Sequence, residues 1–68
     1  MNLERKIELV KEWGFRCINP KAGWYCREIF DEAVEYWKEG NADIIEFITP
    51  KGRLPDYKIS WDLFEGVK

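Results

Sequence analysis

Sixty-eight residues with 11 basic and 13 acidic side chains make one small, nearly neutral domain, residues 1–68. The net charge of −2 is neither the basic footprint of a nucleic-acid-binding protein nor the strong acidity of a nucleic-acid mimic. No apolar run approaches the roughly 20 residues that span a bilayer, and the charged N-terminal stretch lacks the apolar segment of a signal peptide, so we expect a cytoplasmic protein with no membrane partner.

The absence of histidine limits the kinds of catalysis that this chain can perform. Because the chain has no His, the usual general base and the Ser-His and Cys-His nucleophile pairs cannot be built. Glu46 is the mid-strand carboxylate that could act in a pair, but we favour a solvent-facing position for it. A domain this small rarely holds a cleft of about 300 Å³ or more. We therefore predict a protein that is not an enzyme, binds no cofactor and has no small-molecule substrate.

Abundant Lys and Glu with few amides are typical of hyperthermophile proteins. A lysine- and isoleucine-rich mesophile is the alternative source, and the composition favours neither.

The first predicted element is an amphipathic helix over residues 2–13. Asn2 is suited to cap its start, and Gly14 to end it with Phe15 packed back on the last turn. The apolar stripe that we expect to face the core consists of Leu3, Ile7, Val10 and Trp13.

A β-hairpin is predicted next, with strands at residues 15–18 and 24–28 around an Asn-Pro-Lys-Ala-Gly turn. One register places Cys17 opposite Cys26, and another places both on one face, offset by a step. Free buried thiols and a structural disulfide both remain open. Two thiols without an imidazole are too few for a zinc site, so no metal is predicted.

The middle of the chain is predicted to be a second helix over residues 31–40. Asp31 stands where an N-cap belongs and Gly40 where a helix stops. The apolar residues follow helical spacing, at Phe30, Ala33, Val34 and Trp37. A helix between the strands at 24–28 and 42–49 would join them as a right-handed parallel crossover.

Two more strands complete the prediction. Residues 42–49 are apolar on both faces, which favours a central strand. A turn at residues 50–52 leads to residues 57–63, which alternate apolar and polar, and Pro55 before them is confined to a strand start or an edge. We expect the tail at 64–68 to fray. The predicted fold class is α+β, a single-layer mixed four-stranded sheet packed by two helices, in the order α-β-β-α-β-β.

Eleven aromatic side chains are too many for so small a core to enclose, so some aromatic surface should be exposed or held in an interface. Trp, Tyr and Arg are enriched at binding hot spots. We therefore predict a non-catalytic protein-binding module, either self-associating as a homodimer or of the inhibitor or adaptor type. Its candidate binding residues are Trp24, Tyr25, Arg27, Tyr36, Trp61 and Arg16.

Single-stranded nucleic acid is the alternative partner. Arg16, Tyr25 and Arg27 would then share the face of the first hairpin that points away from the helix, with Lys51, Arg53 and Lys58 near the second hairpin.

Overall fold

In the computed structural model, which describes residues 1–65, the chain forms one long helix followed by an antiparallel sheet. The helix α1 spans Leu3–Glu12, and a single helical turn, α2, spans Asp62–Glu65. A 3₁₀ turn covers Glu39–Asn41. The strands are β1 (Arg16–Asn19), β2 (Trp24–Glu28), β3 (Val34–Lys38), β4 (Ile44–Thr49) and β5 (Gly52–Lys58).

The first helix is confirmed, and both of its ends follow from side-chain chemistry. The Asn2 side chain accepts a hydrogen bond from the backbone N–H of Arg5, 2.9 Å away, which is an N-cap. At the other end Gly14 has φ +99°, and Phe15 donates its N–H to the carbonyl of Val10 at 3.0 Å. This is the Schellman geometry that a C-terminal glycine allows. Neither helix within residues 1–65 is long and apolar enough to cross a membrane.

The predicted fold class is wrong. Within the described residues the sheet has five strands in the order β1-β2-β3-β4-β5, and every neighbouring pair is antiparallel. It is therefore an up-and-down meander under one long helix, not a mixed four-stranded sheet under two helices in the order α-β-β-α-β-β. The predicted parallel crossover does not occur within residues 1–65, because a tight turn joins β2 to β3 and β3 pairs antiparallel with both β2 and β4.

The helix predicted over residues 31–40 is the source of this error. Its second half is strand β3, and its first residues form the β2–β3 turn. Asp31 and Glu32 have φ of 47° and 63°, the left-handed pair that a type I′ hairpin turn requires. Ala33 closes the turn by donating its N–H to the carbonyl of Phe30 at 2.8 Å. In so short a segment, helical and alternating patterns can be satisfied by the same apolar residues, and the β-branched and aromatic side chains of β3 favour the strand.

The last predicted strand is displaced towards the N-terminus. It was expected at 57–63, but β5 spans Gly52–Lys58 and the chain then leaves the sheet. The apolar alternation continues beyond the strand because Trp61 turns into the core ahead of α2. Pro55 lies inside β5, which is an edge strand, as a residue without an N–H requires. Of the tail expected to fray, residues 66–68 lie outside the described residues.

Other predictions for the strands are confirmed. The first hairpin and the turn at 50–52 form where expected, and β4 is an interior strand between β3 and β5.

Neither register weighed for the cysteines occurs. Cys17 pairs with Tyr25 and Cys26 with Arg16, which places the two thiols on opposite faces of the hairpin. Both are free thiols.

The core lies between α1 and the sheet face that we call the inner face. Trp37 is fully enclosed at its centre, and its ring meets that of Tyr25 edge-on with centroids 5.3 Å apart. The indole N–H groups of Trp37 and Trp61 both donate to the carbonyl of Ala42, at 2.8 and 3.0 Å. The Ala42 carbonyl thus links strand β3, through Trp37, to the C-terminal segment, through Trp61. The buried cluster consists of Leu9, Val10, Phe15, Tyr25, Trp37, Ile45 and Trp61.

Candidate functional site

The sheet face opposite α1, which we call the outer face, is not covered by any element of the described chain. Strand register places its side chains in rows that cross the sheet. The rows on β2, β3 and β4 are Trp24 with Lys38; Cys26 with Tyr36 and Glu46; and Glu28 with Val34 and Ile48.

A groove of about 470 Å³ lies on this face. Trp24 and Tyr36 meet there edge-to-face, with ring centroids 6.2 Å apart and an interplanar angle of 86°. This geometry is favourable for aromatic pairs and leaves the two rings as fixed, partly exposed walls. The outer groove, as we name it, is lined by Ile18, Asn19, Trp24, Tyr36, Glu46 and Ile48.

The acidic groups of the outer groove are already compensated. Arg53 contacts Glu46 at 3.0 Å and Asp56 at 2.9 Å. The hydrogen bond and charge of Asp56, with a smaller effect from Glu46, raise the pKa of Arg53 above its usual value. Glu46, the carboxylate singled out from the sequence, is thus held in an ion pair on the outer face.

Three cations around the groove are not compensated in this way. Arg16, Lys38 and Lys58 make no ion pair with any residue of the described chain. The Nζ of Lys38 lies 5.2 Å from the centre of the Trp24 ring, a cation–π contact that keeps the ammonium at the groove. The face therefore combines an apolar centre with unpaired cations, Lys38 among them at the Trp24 end, and with the carboxylate of Glu28, also unpaired within residues 1–65, at the end beside the β2–β3 turn.

The six predicted binding residues divide between the two faces. Trp24, Tyr36 and Arg16 lie on the outer face, and the first two line one groove. Tyr25, Arg27 and Trp61 lie on the inner side instead.

Tyr25 is a core residue. Its hydroxyl donates to Glu39 at 2.9 Å, and burial followed by this hydrogen bond raises the pKa of Tyr25 to about 12.

Arg27 has a structural role in the inner face. Its Nε contacts the carboxylate of Glu35 at 2.6 Å, and Glu35 is only 3% exposed. The same guanidinium donates to the carbonyl of Trp13 and lies 4.7 Å from the centre of the Phe15 ring. Arg27 therefore neutralises a buried carboxylate, and it does not share a face with Arg16 as the nucleic-acid hypothesis expected.

A second apolar groove, of about 300 Å³, opens on the inner side where β5 and α2 extend beyond α1. Its lining includes Tyr57, Leu63 and Phe64, which are all exposed. Lys51, the remaining basic candidate, lies in the β4–β5 turn, away from both grooves.

Sequence reasoning missed Ile18, Lys38 and Ile48 as members of the outer surface. Alternation within Val34–Lys38 was the available signal, because a strand there places Tyr36 and Lys38 on one face. The helical interpretation of the same residues concealed it. Ile18 carried no such signal, since it falls at an irregularity between Cys17 and Asn19 in the β1–β2 register.

No known protein family, curated protein or solved structure matches this chain.

Proposed function

We propose that the protein is a non-catalytic protein-binding module that receives its partner on the outer face of the sheet. The observation that carries this proposal is the outer groove, an apolar and aromatic hollow on a sheet face that no element of the described chain covers. An apolar centre surrounded by polar groups is the usual anatomy of a protein interface.

Three features support a protein partner. Trp24 and Tyr36 are rigid aromatic groups of the kind that dominate interface energies. Ile18 and Ile48, at opposite sides of the groove, are 52% and 37% exposed, so a bound chain would bury aliphatic area as well. Glu46 and Arg53 already satisfy each other at 3.0 Å, so an apolar side chain can enter the groove without stranding either charge.

The experiment is a selection of binding peptides from a random displayed library on the immobilised protein. We expect selected peptides to lose at least about tenfold in affinity, roughly 1.4 kcal/mol, when Trp24 and Tyr36 are both replaced by alanine. Leu63→Ala is the matched control, because Leu63 is 70% exposed and lies on the inner side. Peptides that bind the double variant normally but lose affinity for Leu63→Ala would move the site to the inner groove and refute the proposal.

A thymidine oligonucleotide serves as the competing probe. If it binds the outer face with a steep log–log dependence on salt, of about −0.7 per phosphate contact, the partner is single-stranded nucleic acid and the proposal fails. Glu28, which lies on this face and makes no ion pair with any residue of the described chain, disfavours that result because it would repel a phosphate.

A further inference from the structure

The β2–β3 turn at residues 29–33 exposes apolar side chains. Phe30 is 65% exposed at its tip, and Ile29 beside it is 39% exposed. The apolar pair is surrounded by three exposed carboxylates, Glu28, Asp31 and Glu32. The last two hold left-handed backbone conformations, which are unfavourable for residues with a Cβ. Phe30 also lines a hollow of about 250 Å³ beside Thr49 and Pro50.

This turn and the outer groove are complementary in shape and in charge. One offers an aromatic ring with carboxylates on both sides; the other offers an aromatic hollow with the uncompensated cations Arg16 and Lys38 at its rim. The two carboxylates near the β3–β4 connection, Glu39 and Asp43, do not form ion pairs with those cations. Glu39 accepts a hydrogen bond from Tyr25 on the inner side, and Asp43 lies 3.7 Å from Lys6 of α1.

The turn cannot reach the Trp24 end of the groove of its own chain. The groove runs along the sheet from Trp24 to Ile48, whose row also holds Glu28 beside the turn. Two hydrogen bonds close the turn, from the Ala33 N–H to the Phe30 carbonyl at 2.8 Å and from the Ile29 N–H to the Ala33 carbonyl at 2.9 Å. They hold the tip in line with β2 and β3, so it cannot fold back to Trp24, four residues or about 13 Å away along β2. A turn that fills that end must therefore come from another molecule.

We propose that the partner on the outer face is a second copy of this chain, whose β2–β3 turn inserts Phe30 into the outer groove. This inference rests on the function proposed above and names its partner. Two copies related by a two-fold axis, with their outer faces together and strands antiparallel, make the contact twice. Lys38 of each copy then approaches Glu32 and Asp31 of its mate.

The available area sets the strength of this dimer. Five strands about 4.8 Å apart and about five residues long give a flat face of about 400 Å². Stable interfaces bury about 800 Å² on each partner, so the face alone supplies about half, and the inserted turns add to it. The dimer should therefore be weak, and its population should depend on concentration and on salt.

Sedimentation equilibrium on the full chain, from micromolar to millimolar concentration, tests the proposal. The wild-type protein should shift from monomer to dimer across this range, and added salt should weaken the dimer because the contact pairs opposite charges. Phe30→Ser removes the inserted ring, and Lys38→Glu reverses charge at the groove. Each should raise the dimer dissociation constant about tenfold or more. Leu3→Ser, which changes an exposed leucine on α1, should leave the constant unchanged.

Mixing the two weakened variants is the decisive measurement. A Phe30→Ser molecule keeps an intact groove and a Lys38→Glu molecule keeps an intact turn, so their heterodimer has one unsubstituted contact and one that carries both substitutions. A contact already broken by one substitution loses little more from the second, because effects within one contact are not additive. We expect a heterodimer tighter than either homodimer. The proposal that the turn inserts into the groove is refuted if the heterodimer is no tighter than either homodimer. It is also refuted if Phe30→Ser leaves the dimer dissociation constant unchanged.

The result also separates this inference from the proposed function. If the wild-type protein stays monomeric to millimolar concentration while selected peptides still bind the outer groove, the self-partner is wrong and the binding face stands. If peptides bind without regard to Trp24 and Tyr36, the face itself is wrong. Far-UV circular dichroism of each variant confirms that the fold is intact.

Discussion

The substitution Glu32→Gly distinguishes the observed hairpin from the helix that the sequence suggested, because the two structures predict effects of opposite sign. Glu32 has φ 63° in the β2–β3 turn, a conformation that costs a residue with a Cβ about 1–2 kcal/mol and costs glycine nothing. Part of that gain is lost to the greater freedom of glycine in the unfolded chain, about 0.4–1 kcal/mol. The matched control is Glu32→Ala, which removes the same carboxylate but keeps the Cβ.

In the hairpin, Glu32→Gly should therefore be more stable than Glu32→Ala by about 1 kcal/mol. In the predicted helix Glu32 would be the first residue after the Asp31 cap, with ordinary helical φ, so glycine would bring no gain over alanine and its greater freedom in the unfolded chain would make it the weaker variant. The assay is urea unfolding followed by tryptophan fluorescence. If the unfolding free energies of the two variants depend equally steeply on urea concentration, the difference between their midpoints reports the difference in stability. A glycine variant equal to or weaker than the alanine variant would refute the left-handed turn and with it the strand assignment of β3.

Three further predictions follow from the interior of the protein. Gly23→Ala should destabilise the fold by more than about 1 kcal/mol, measured by thermal unfolding, because φ is +70° there and an added Cβ would lie 3.0 Å from the nearest side-chain atom. Glu35→Ala should lower the free energy of unfolding by about 2–3 kcal/mol, measured in urea, because it leaves Arg27 partly buried without its partner. Glu46→Ala, which removes a more exposed carboxylate, should lower it by at most about 1 kcal/mol. Equal losses of stability in the two variants would contradict this prediction. The raised pKa of Tyr25 favours the folded state below pH 10, and this stability is lost as pH rises from 10 towards about 12, because the unfolded tyrosine ionises first. The difference in unfolding free energy between wild type and Tyr25→Phe should therefore shrink over that range, and a difference independent of pH would rule out the assigned shift.

The sequence predicted correctly those helices and turns whose ends are marked by a capping residue, a glycine or a proline. The cap at Asn2 and the left-handed Gly14 determine where α1 begins and ends, and both were visible in the sequence. The first hairpin and the β4–β5 turn were predicted for the same reason, since Pro20 and Gly52 mark them directly.

The prediction for the middle of the chain was wrong because its turn lacks the glycine or asparagine that usually marks a type I′ turn. Its left-handed pair is Asp31-Glu32 instead. The same two acidic residues look like the first turn of a helix. The β-branched and aromatic residues of β3 favour a strand, and the packing of Trp37 with Leu9 and Val10 of α1, a long-range contact, adds to that preference.

The composition predicted that aromatic rings would be exposed, but it could not assign individual rings to a face of the sheet. Aromatic surplus correctly indicated that rings would remain exposed, and Trp24 and Tyr36 do line an open groove. Which rings face outward depends on strand register, and register in β3 could not be predicted from a helical assignment. The nucleic-acid hypothesis placed Tyr25 and Arg27 on the face away from the helix, whereas alternation along β2 places both on the inner face.

The meander has a consequence for the speed of folding. Each strand pairs only with the strand next to it in the chain, so every ladder closes over a turn of a few residues and little loop entropy opposes it. Sheet proteins usually fold slowly because their pairings join distant segments. Here the distant step is the arrival of Trp61 at the carbonyl of Ala42, beside the ring of Trp37. That step should be the last to complete, and the fluorescence of these two indoles should report it after the sheet has already formed.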